Sequence, residues 1–266
     1  MRIASWNVNS IRSRIDRLEA WLQRSEVDVL AIQETKCKDA QFPYDRIRAL
    51  GYEVAHHGLN QWNGVAILSR VGLAEVEVGF PQAPTWGEPP MAEARAIGAT
   101  VGTGTNAIRF WSVYVPNGRH LTDPHMDYKV AWLDALRFNA GSWAANQGRV
   151  MLCGDWNIAP GDEDVWSMEF YADKSHVSPR ERAAFQGFLD DGFIDVVRPH
   201  TPGPGVYTYW DYKQLRFAKR QGMRIDFLLC SPALAGHVLG AAIDREERKG
   251  TGASDHAPVV IELEEA

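Results

Sequence analysis

Val150-Met151-Leu152-Cys153-Gly154-Asp155-Trp156-Asn157 decides how this chain is read. The first four residues form a short apolar run closed by a glycine, which predicts a buried strand. At its end stand a carboxylate and a carboxamide two residues apart. On an extended backbone such residues share one face, so Asp155 and Asn157 are expected to point the same way. An acceptor beside a donor suits a phosphate oxygen with its attacking water, or a hard cation. Read alone, the pair fits an Asx-type turn better, with both side chains bonding local backbone. The rest of the chain reverses that order.

Outward from this stretch, strand-like runs recur from end to end: 3–6, 27–33, 52–56, 65–69, 74–78, 94–101, 108–115, 149–153, 225–230 and 259–263. Three amphipathic helices lie between them. The first is expected to be capped by Ser13 with Asp16 three residues on, the second to run from about His125 to Ala145. The third has Ser178 as N-cap, Pro179 at the first helical position and Glu181 completing a capping box, with Gly192 closing it. No sequence period recurs, which disfavours a solenoid or a Rossmann array. Many strands ahead of the first long helix predict mixed sheets. No low-complexity linker divides the chain, so residues 1–266 are expected to form one α/β domain.

Composition narrows the function classes. The 266 residues are 45% hydrophobic, enough for a large core, and carry 28 Lys and Arg against 34 Asp and Glu, a net charge of −6. Whole-molecule charge gives no pull toward a polyanion, so nucleic-acid binding would need a local basic surface. Three scattered cysteines (Cys37, Cys153, Cys230) without CxxC spacing support neither a disulfide framework nor a thiolate zinc site. No stretch is long and apolar enough to span a bilayer and no signal peptide opens the chain, so a soluble cytoplasmic protein is expected.

Polar groups cluster where the predicted strands end. Asn7 and Asn9 follow the first, Glu34-Thr35-Lys36 the second, and Tyr114 with Pro116-Asn117-Gly118-Arg119 the run at 108–115. Asp226 begins a strand, and Asp255-His256 precedes the last. Strand ends gather at one edge of a sheet, where sites form. Carboxylates, carboxamides, one phenol and one imidazole suit Mg²⁺-assisted hydrolysis of a phosphate ester, which needs oxygen ligands, donors for the phosphate and a base for water. Zinc is disfavoured by a lone histidine, a serine hydrolase by the lack of a GxSxG elbow, and nucleotide-driven work by the lack of a Walker A loop. Each residue also has a plainer reading: Glu34 paired with Lys36, Asp226 with Arg224, Tyr114 in the core, Asn7 and Asn9 in turns.

Taken in order, Trp6-Asn7-Val8-Asn9, Gln33-Glu34-Thr35-Lys36, Gly64-Val65-Ala66, Tyr114-Val115-Pro116-Asn117-Gly118, Gly154-Asp155-Trp156-Asn157, Arg224-Ile225-Asp226 and Ser254-Asp255-His256-Ala257-Pro258 resemble the exonuclease III family of abasic-site endonucleases, within the endonuclease/exonuclease/phosphatase superfamily. The resemblance implies a four-layer α/β sandwich, two packed mixed β-sheets flanked by helices, with the site at one edge. It implies Mg²⁺, with Mn²⁺ able to substitute, held by Glu34 with Asp255 and Asn7 close by, and Asp155, Asn157 and His256 within reach of the metal. Asp155 would deprotonate water, Asn157, Asn7, Tyr114 and His256 would hold the phosphate, and Asp226 would bond the second ring nitrogen of His256.

The aromatic-basic stretch from Tyr207 to Arg224 resembles the pocket that receives a flipped abasic sugar, with Tyr209 where relatives commonly carry tryptophan. Asn7, Asn9, Arg119, Tyr209, Trp210, Phe217 and Arg220 are the candidate substrate contacts. Arg12, Arg14, Lys36 and Lys38 are further candidates for the backbone-contact surface. The implied activity is cleavage 5′ to abasic sites in duplex DNA together with 3′–5′ exonuclease trimming of blocked 3′ ends, by a monomer. The alternatives are the same scaffold acting on an inositol phosphate or phospholipid, and a non-catalytic binding module.

Overall fold

The computed structural model describes residues 1–264. The first half of the chain contains β1 (Arg2–Asn7), α1 (Ile11–Ser25), β2 (Val29–Gln33), α2 (Tyr44–Arg48), β3 (Glu53–His57), β4 (Val65–Ser69), β5 (Leu73–Val78), β6 (Ala96–Val101), β7 (Ile108–Tyr114) and α3 (Pro124–Gln147). The second half adds β8 (Val150–Asp155), α4 (Met168–Tyr171), α5 (Pro179–Asp190), β9 (Ile194–Asp195), β10 (Asp226–Cys230), α6 (Pro232–Ala235), β11 (Val238–Ile243) and β12 (Val259–Leu263).

These strands make two six-stranded mixed sheets, ordered β11-β12-β1-β2-β4-β3 and β5-β6-β7-β8-β10-β9. Each has one parallel pair at its centre, β1 with β2 and β7 with β8, and antiparallel neighbours on both sides. The two sheets therefore repeat one strand plan, although no repeat is visible in the sequence. Alternation of side chains explains the layering. In β2, Val29 and Ala31 enter the seam between the sheets, while Leu30 and Ile32 face the Trp21–Leu22 side of α1. In β8, Met151 and Cys153 enter the same seam, and Val150 and Leu152 pack under Trp132, Leu136, Phe185 and Phe188 of α3 and α5. Helix, sheet, sheet and helix form four layers, as expected.

Two local expectations change. The first helix begins at Ile11, so Ser13 lies inside it; the N-cap is Ser10, whose side chain does not cap. Tertiary bonds start this helix instead: the Ser10 and Ile11 N–H groups donate to the carbonyls of Glu34 at 2.7 Å and Thr35 at 3.1 Å. The edge strands β9 and β11 were not expected; the first has two residues and the second, VLGAAI, leaves Leu239 exposed. The third predicted helix matches in detail, since Ser178 accepts from the Glu181 N–H and the capping box is complete.

Candidate functional site

The site lies where both parallel pairs end. Asn7 closes β1 and Glu34 follows β2; Tyr114 and Asp155 end β7 and β8 side by side in register. Asp226, the first residue of β10, pairs with Asp155 across the antiparallel ladder. Asp255 and His256 arrive on the loop before β12. Each sheet thus contributes half of the polar set at the carboxyl ends of its central strands.

Local backbone departs from the expected extended run. The chain leaves the strand after Asp155: Asn157 adopts φ 50, and its N–H donates to Asp155 Oδ1 at 2.9 Å. This is the Asx turn, and it overturns the shared-face argument. The turn uses Oδ1 only, so Oδ2 remains for the site. Trp156 is driven the other way, into the Phe185–Phe188 cluster. Gly154 is required because a Cβ there would lie 1.8 Å from the Val113 carbonyl oxygen. Left-handed backbone also occurs at Asn9, Glu34, Lys36 and Arg119, concentrating strain around the site.

Asn7 sits between the two carboxylates, donating to Glu34 Oε1 at 2.8 Å and to Asp155 Oδ2 at 2.9 Å. Its Oδ1 accepts from the Asn9 N–H at 2.9 Å. Both amide hydrogens are committed, so in this arrangement Asn7 spaces the carboxylates and has no donor left for a phosphate. Glu34 Oε2 pairs with Lys36 Nζ at 2.7 Å. Burial acts to raise the Glu34 carboxyl, but Lys36 and Asn7 outweigh it and hold it below the usual range. Lys36 therefore reaches the site while also lining the open cleft formed with Arg12, Lys38 and Trp62.

His256 Nδ1 lies 2.9 Å from Asp226 Oδ2, and its Nε2 lies 3.7 Å from Asp155 Oδ2. Asp226 is thus the partner of His256, while Arg224 pairs with Asp164 and Asp195. Burial alone would lower the His256 imidazole; Asp226 and Asp155 outweigh it and raise it to about 10. Burial pushes the Asp155 carboxyl up to about 7, against the pull of His256. Burial and the nearby Glu34 raise the Tyr114 phenol well above its ordinary value, so it stays a donor.

Glu34, Asp155 and His256 each offer a ligand atom within 4.8 Å of the others. Two carboxylates converging from separate sheets, with an amide hydrogen wedged between them, are a donor set that fits a hard divalent cation. A doubly protonated His256 is no metal ligand and serves better as a cation facing an anionic substrate. Asp255 stands outside this trio, its Oδ1 accepting from Asn9 at 2.9 Å. Asn157 is also turned away from a ligand role: its Oδ1 accepts from Asn117 Nδ2 at 3.1 Å and faces His176 Nε2 at 3.1 Å. One hydrogen of its Nδ2 goes to the Val115 carbonyl at 3.0 Å, and the second is left to donate.

Among the substrate candidates, Tyr209 is half-buried beside the site, its ring centroid 4.9 Å from that of His256. Trp210 is only 1% exposed and packs on Tyr207 and Ala257, so it is core and lines no surface. Phe217 is partly buried, packing edge-on against Trp210 and under Arg245. Arg220 is exposed on the same loop, and Arg119 is exposed beyond Asn117. Asn9 is absorbed by Lys36 Nζ at 2.5 Å and by Asp255. Arg14 fastens the Tyr212 hydroxyl at 2.9 Å, whereas Arg12, Lys38 and the exposed Trp62 line an open cleft nearby.

Sequence reasoning missed His176 and Met223. Met223 pairs with Tyr209 and joins Ile225 in an apolar cluster with Ala159, Val165 and Val177 behind the site. The available signal was the Gly222-Met223-Arg224-Ile225 run ahead of Asp226, with apolar residues alternating on the strand approach. His176 had no signal, since it arrives on an irregular loop. Gln33 has a role of its own: its Nε2 donates to Ser112 Oγ at 3.1 Å across the seam, and Ser112 Oγ donates to the Ile32 carbonyl at 2.9 Å. A buried polar bridge therefore ties the two sheets directly behind the site.

The sandwich and its convergent carboxylates define a phosphoester hydrolase. Residues 4–256 match the Endonuclease/Exonuclease/phosphatase family, and the chain belongs to it. It is 29% identical to exodeoxyribonuclease III of Haemophilus influenzae, over 99% of this chain and 100% of that protein. It superposes on the 3′ phosphatase NExo from Neisseria, solved with a product DNA hairpin, at TM-score 0.92 and 35% identity over 99% of both chains. An AP endonuclease from Archaeoglobus fulgidus gives TM-score 0.90 and 31% identity over 99% of both chains. Relatives of this kind mark the chain as an enzyme, a hydrolase of the nuclease type. No helix among the described residues is long and apolar enough to cross a membrane.

Proposed function

We propose that this chain is a Mg²⁺-dependent DNA-repair nuclease that cuts 5′ to abasic sites and trims blocked 3′ ends, with Mn²⁺ able to replace Mg²⁺. Both activities are one reaction: water attacks phosphorus and expels a 3′-oxygen, and only the group on the far side of the phosphate differs. The carrying observation is the Glu34–Asn7–Asp155 bridge, which holds two carboxylates from different sheets at hydrogen-bond distance from one amide. Glu34 and Asp155 would hold the cation, with Asp255 behind Asn9. The cation, when bound, supplies charge stabilisation at the phosphoryl oxygens.

Asp155 Oδ2 faces the attacking water and takes its proton. The free Asn157 N–H, the Tyr114 hydroxyl and the His256 imidazolium bind the phosphate and the developing charge. Tyr209 lies against the sugar beyond the phosphate, and Arg119 and Arg220 are placed for strand contacts. The enzyme would act as a monomer, one domain carrying the entire site, in the compartment that holds the DNA, the cytoplasm in a bacterium.

A narrower reading, hydrolysis at 3′ ends only, is favoured by the higher identity to the Neisseria 3′ phosphatase than to the Archaeoglobus AP endonuclease. The test uses end-labelled duplexes carrying either an internal abasic analogue or a 3′-phosphate, each with Mg²⁺ or EDTA. Metal-dependent cutting of both supports the full reading. Cutting of the 3′-phosphate alone selects the narrower one. Cleavage that ignores EDTA, or preference for inositol phosphates, overturns both.

A further inference from the structure

The Lys129–Glu181 pair is fully enclosed, with both side chains 0% exposed. Lys129 comes from the second turn of α3 and Glu181 is the capping-box residue of α5. The ammonium has three hydrogens and three acceptors: Glu181 Oε1 at 2.5 Å, the Asn157 carbonyl at 2.6 Å and the Asn117 carbonyl at 3.2 Å. The carboxylate is equally committed, accepting from the Ser178 hydroxyl at 2.6 Å and from the His176 N–H at 2.9 Å. An ordinary capping box sits at a helix surface and needs no buried cation. Here the same glutamate anchors a lysine whose other two bonds leave the helices altogether and end on site loops.

Those loops are the ones that grip the Asn157 amide. Asn117 donates to its Oδ1, and the His176 ring faces the same oxygen. Lys129 holds the carbonyls of Asn117 and Asn157, and Glu181 holds the backbone of His176. Every group that orients the Asn157 carboxamide is thus tied to one ion pair, except the Val115 carbonyl. Asn157 takes the left-handed backbone that asparagine tolerates well, and the Asx bond to Asp155 supports it, so what the ion pair adds is the placement of the side-chain amide. A buried ion pair adds little net stability over an apolar pair of the same shape, so its contribution here is geometric.

We propose that Lys129, braced by Glu181, is a positioning residue for phosphoester hydrolysis: it fixes the Asn157 and Asn117 loops so that the Asn157 amide presents its free N–H to the substrate. The proposal deepens the nuclease reading and rests on it for its kinetic arm.

The experiment compares wild type, Lys129→Met and the charge-neutral double variant Lys129→Met/Glu181→Gln. The single variant leaves a buried carboxylate without its cation and is expected to lose thermal stability; the double variant recovers most of it. With Mg²⁺ and a cleavable duplex, the double variant is expected to lose about 10- to 100-fold in kcat, with duplex Kd within about twofold of wild type. Its Asn157 carboxamide ¹H–¹⁵N signals, dispersed in wild type, should move toward random-coil positions. A double variant with recovered stability, wild-type kcat and unchanged Asn157 signals overturns the proposal, as does a kcat loss that only tracks the unfolded fraction. Wild-type protein that cuts no DNA overturns the nuclease reading instead, and the Asn157 signals still decide whether Lys129 positions that amide.

Discussion

Asp226 accepts from Nδ1 of His256 at 2.9 Å, and this contact decides the charge of the ring that faces Asp155. Because Asp226 is the main group raising the imidazole to about 10, removing its charge leaves only the weaker pull of Asp155 and Asp255 against burial and lowers it. In Asp226→Asn the descending limb of the pH–rate profile is expected to move toward neutrality, with a loss of about 10- to 100-fold at pH 8. A profile whose alkaline limb stays where wild type has it would show that His256 does not act as a cation.

Asp155→Asn removes the proposed base but keeps the size and one oxygen for the Asn157 N–H. Cleavage is expected to fall about 10³-fold, with duplex affinity retained. In wild type, the ascending limb of kcat/KM is expected at or below about pH 7, since a bound divalent cation can only pull this carboxyl down from the value burial gives it. Single-turnover cleavage and binding assays across pH 5 to 9 separate the two effects; unchanged turnover sinks the assignment.

Glu34 is held ionised by Lys36 and Asn7, ready for a cation before one binds. EDTA should abolish activity, and Mg²⁺ or Mn²⁺ should restore it. Glu34→Gln should raise the Mg²⁺ concentration for half-activity by at least about tenfold, since one of the two carboxylates proposed to hold the cation is lost. A metal titration of cleavage reads this directly, and equal titration curves for both proteins would place the cation elsewhere.

Stability of the metal-free protein should depend on pH with a defined sign. The folded His256 value, about 10, exceeds the ordinary 6.5, so its stabilising effect is complete below 6.5 and is lost as pH rises through 10. Melting temperature in EDTA is therefore expected to fall between pH 7 and 9, and less steeply in His256→Gln. Parallel slopes in the two proteins would contradict the linkage.

Gly154→Ala tests the packing behind the Asp155 carboxylate. A Cβ at 1.8 Å from the Val113 oxygen must push β7 and β8 apart, at a cost of about 1–3 kcal/mol. Chemical denaturation measures this, and a cost near zero would mean that the two strands are not packed as described.

Most of the site was legible because polar residues at the ends of apolar runs stand out against their strands. Glu34, Tyr114, Asp155, Asp226 and His256 all come together, and each belongs to such an end. The aromatic loop was less legible for a physical reason: Trp210 and Tyr209 are neighbours of similar chemistry, and only tertiary packing sends one inward. Backbone conformation was hidden too. The Asx turn at Asp155 and the helix start after Ser10 depend on φ values and tertiary bonds that residue type alone does not specify. The capping box was visible at Ser178 and Glu181, but nothing local announced that Glu181 would be buried against a lysine 52 residues away. Edge strands β9 and β11 are short or Gly/Ala-rich, so their hydrophobic pattern is weak.

The seam between the two sheets has a consequence for tuning. Glu34 rides on one sheet and Asp155 on the other, so the gap between them gauges how closely the sheets approach. Shaving a seam side chain such as Phe110 or Met151 is expected to shift that gauge more than equal shaving beneath an outer helix. The spacing of Glu34 and Asp155 is thereby set from the interior, like a caliper set by its spine and not by its jaws.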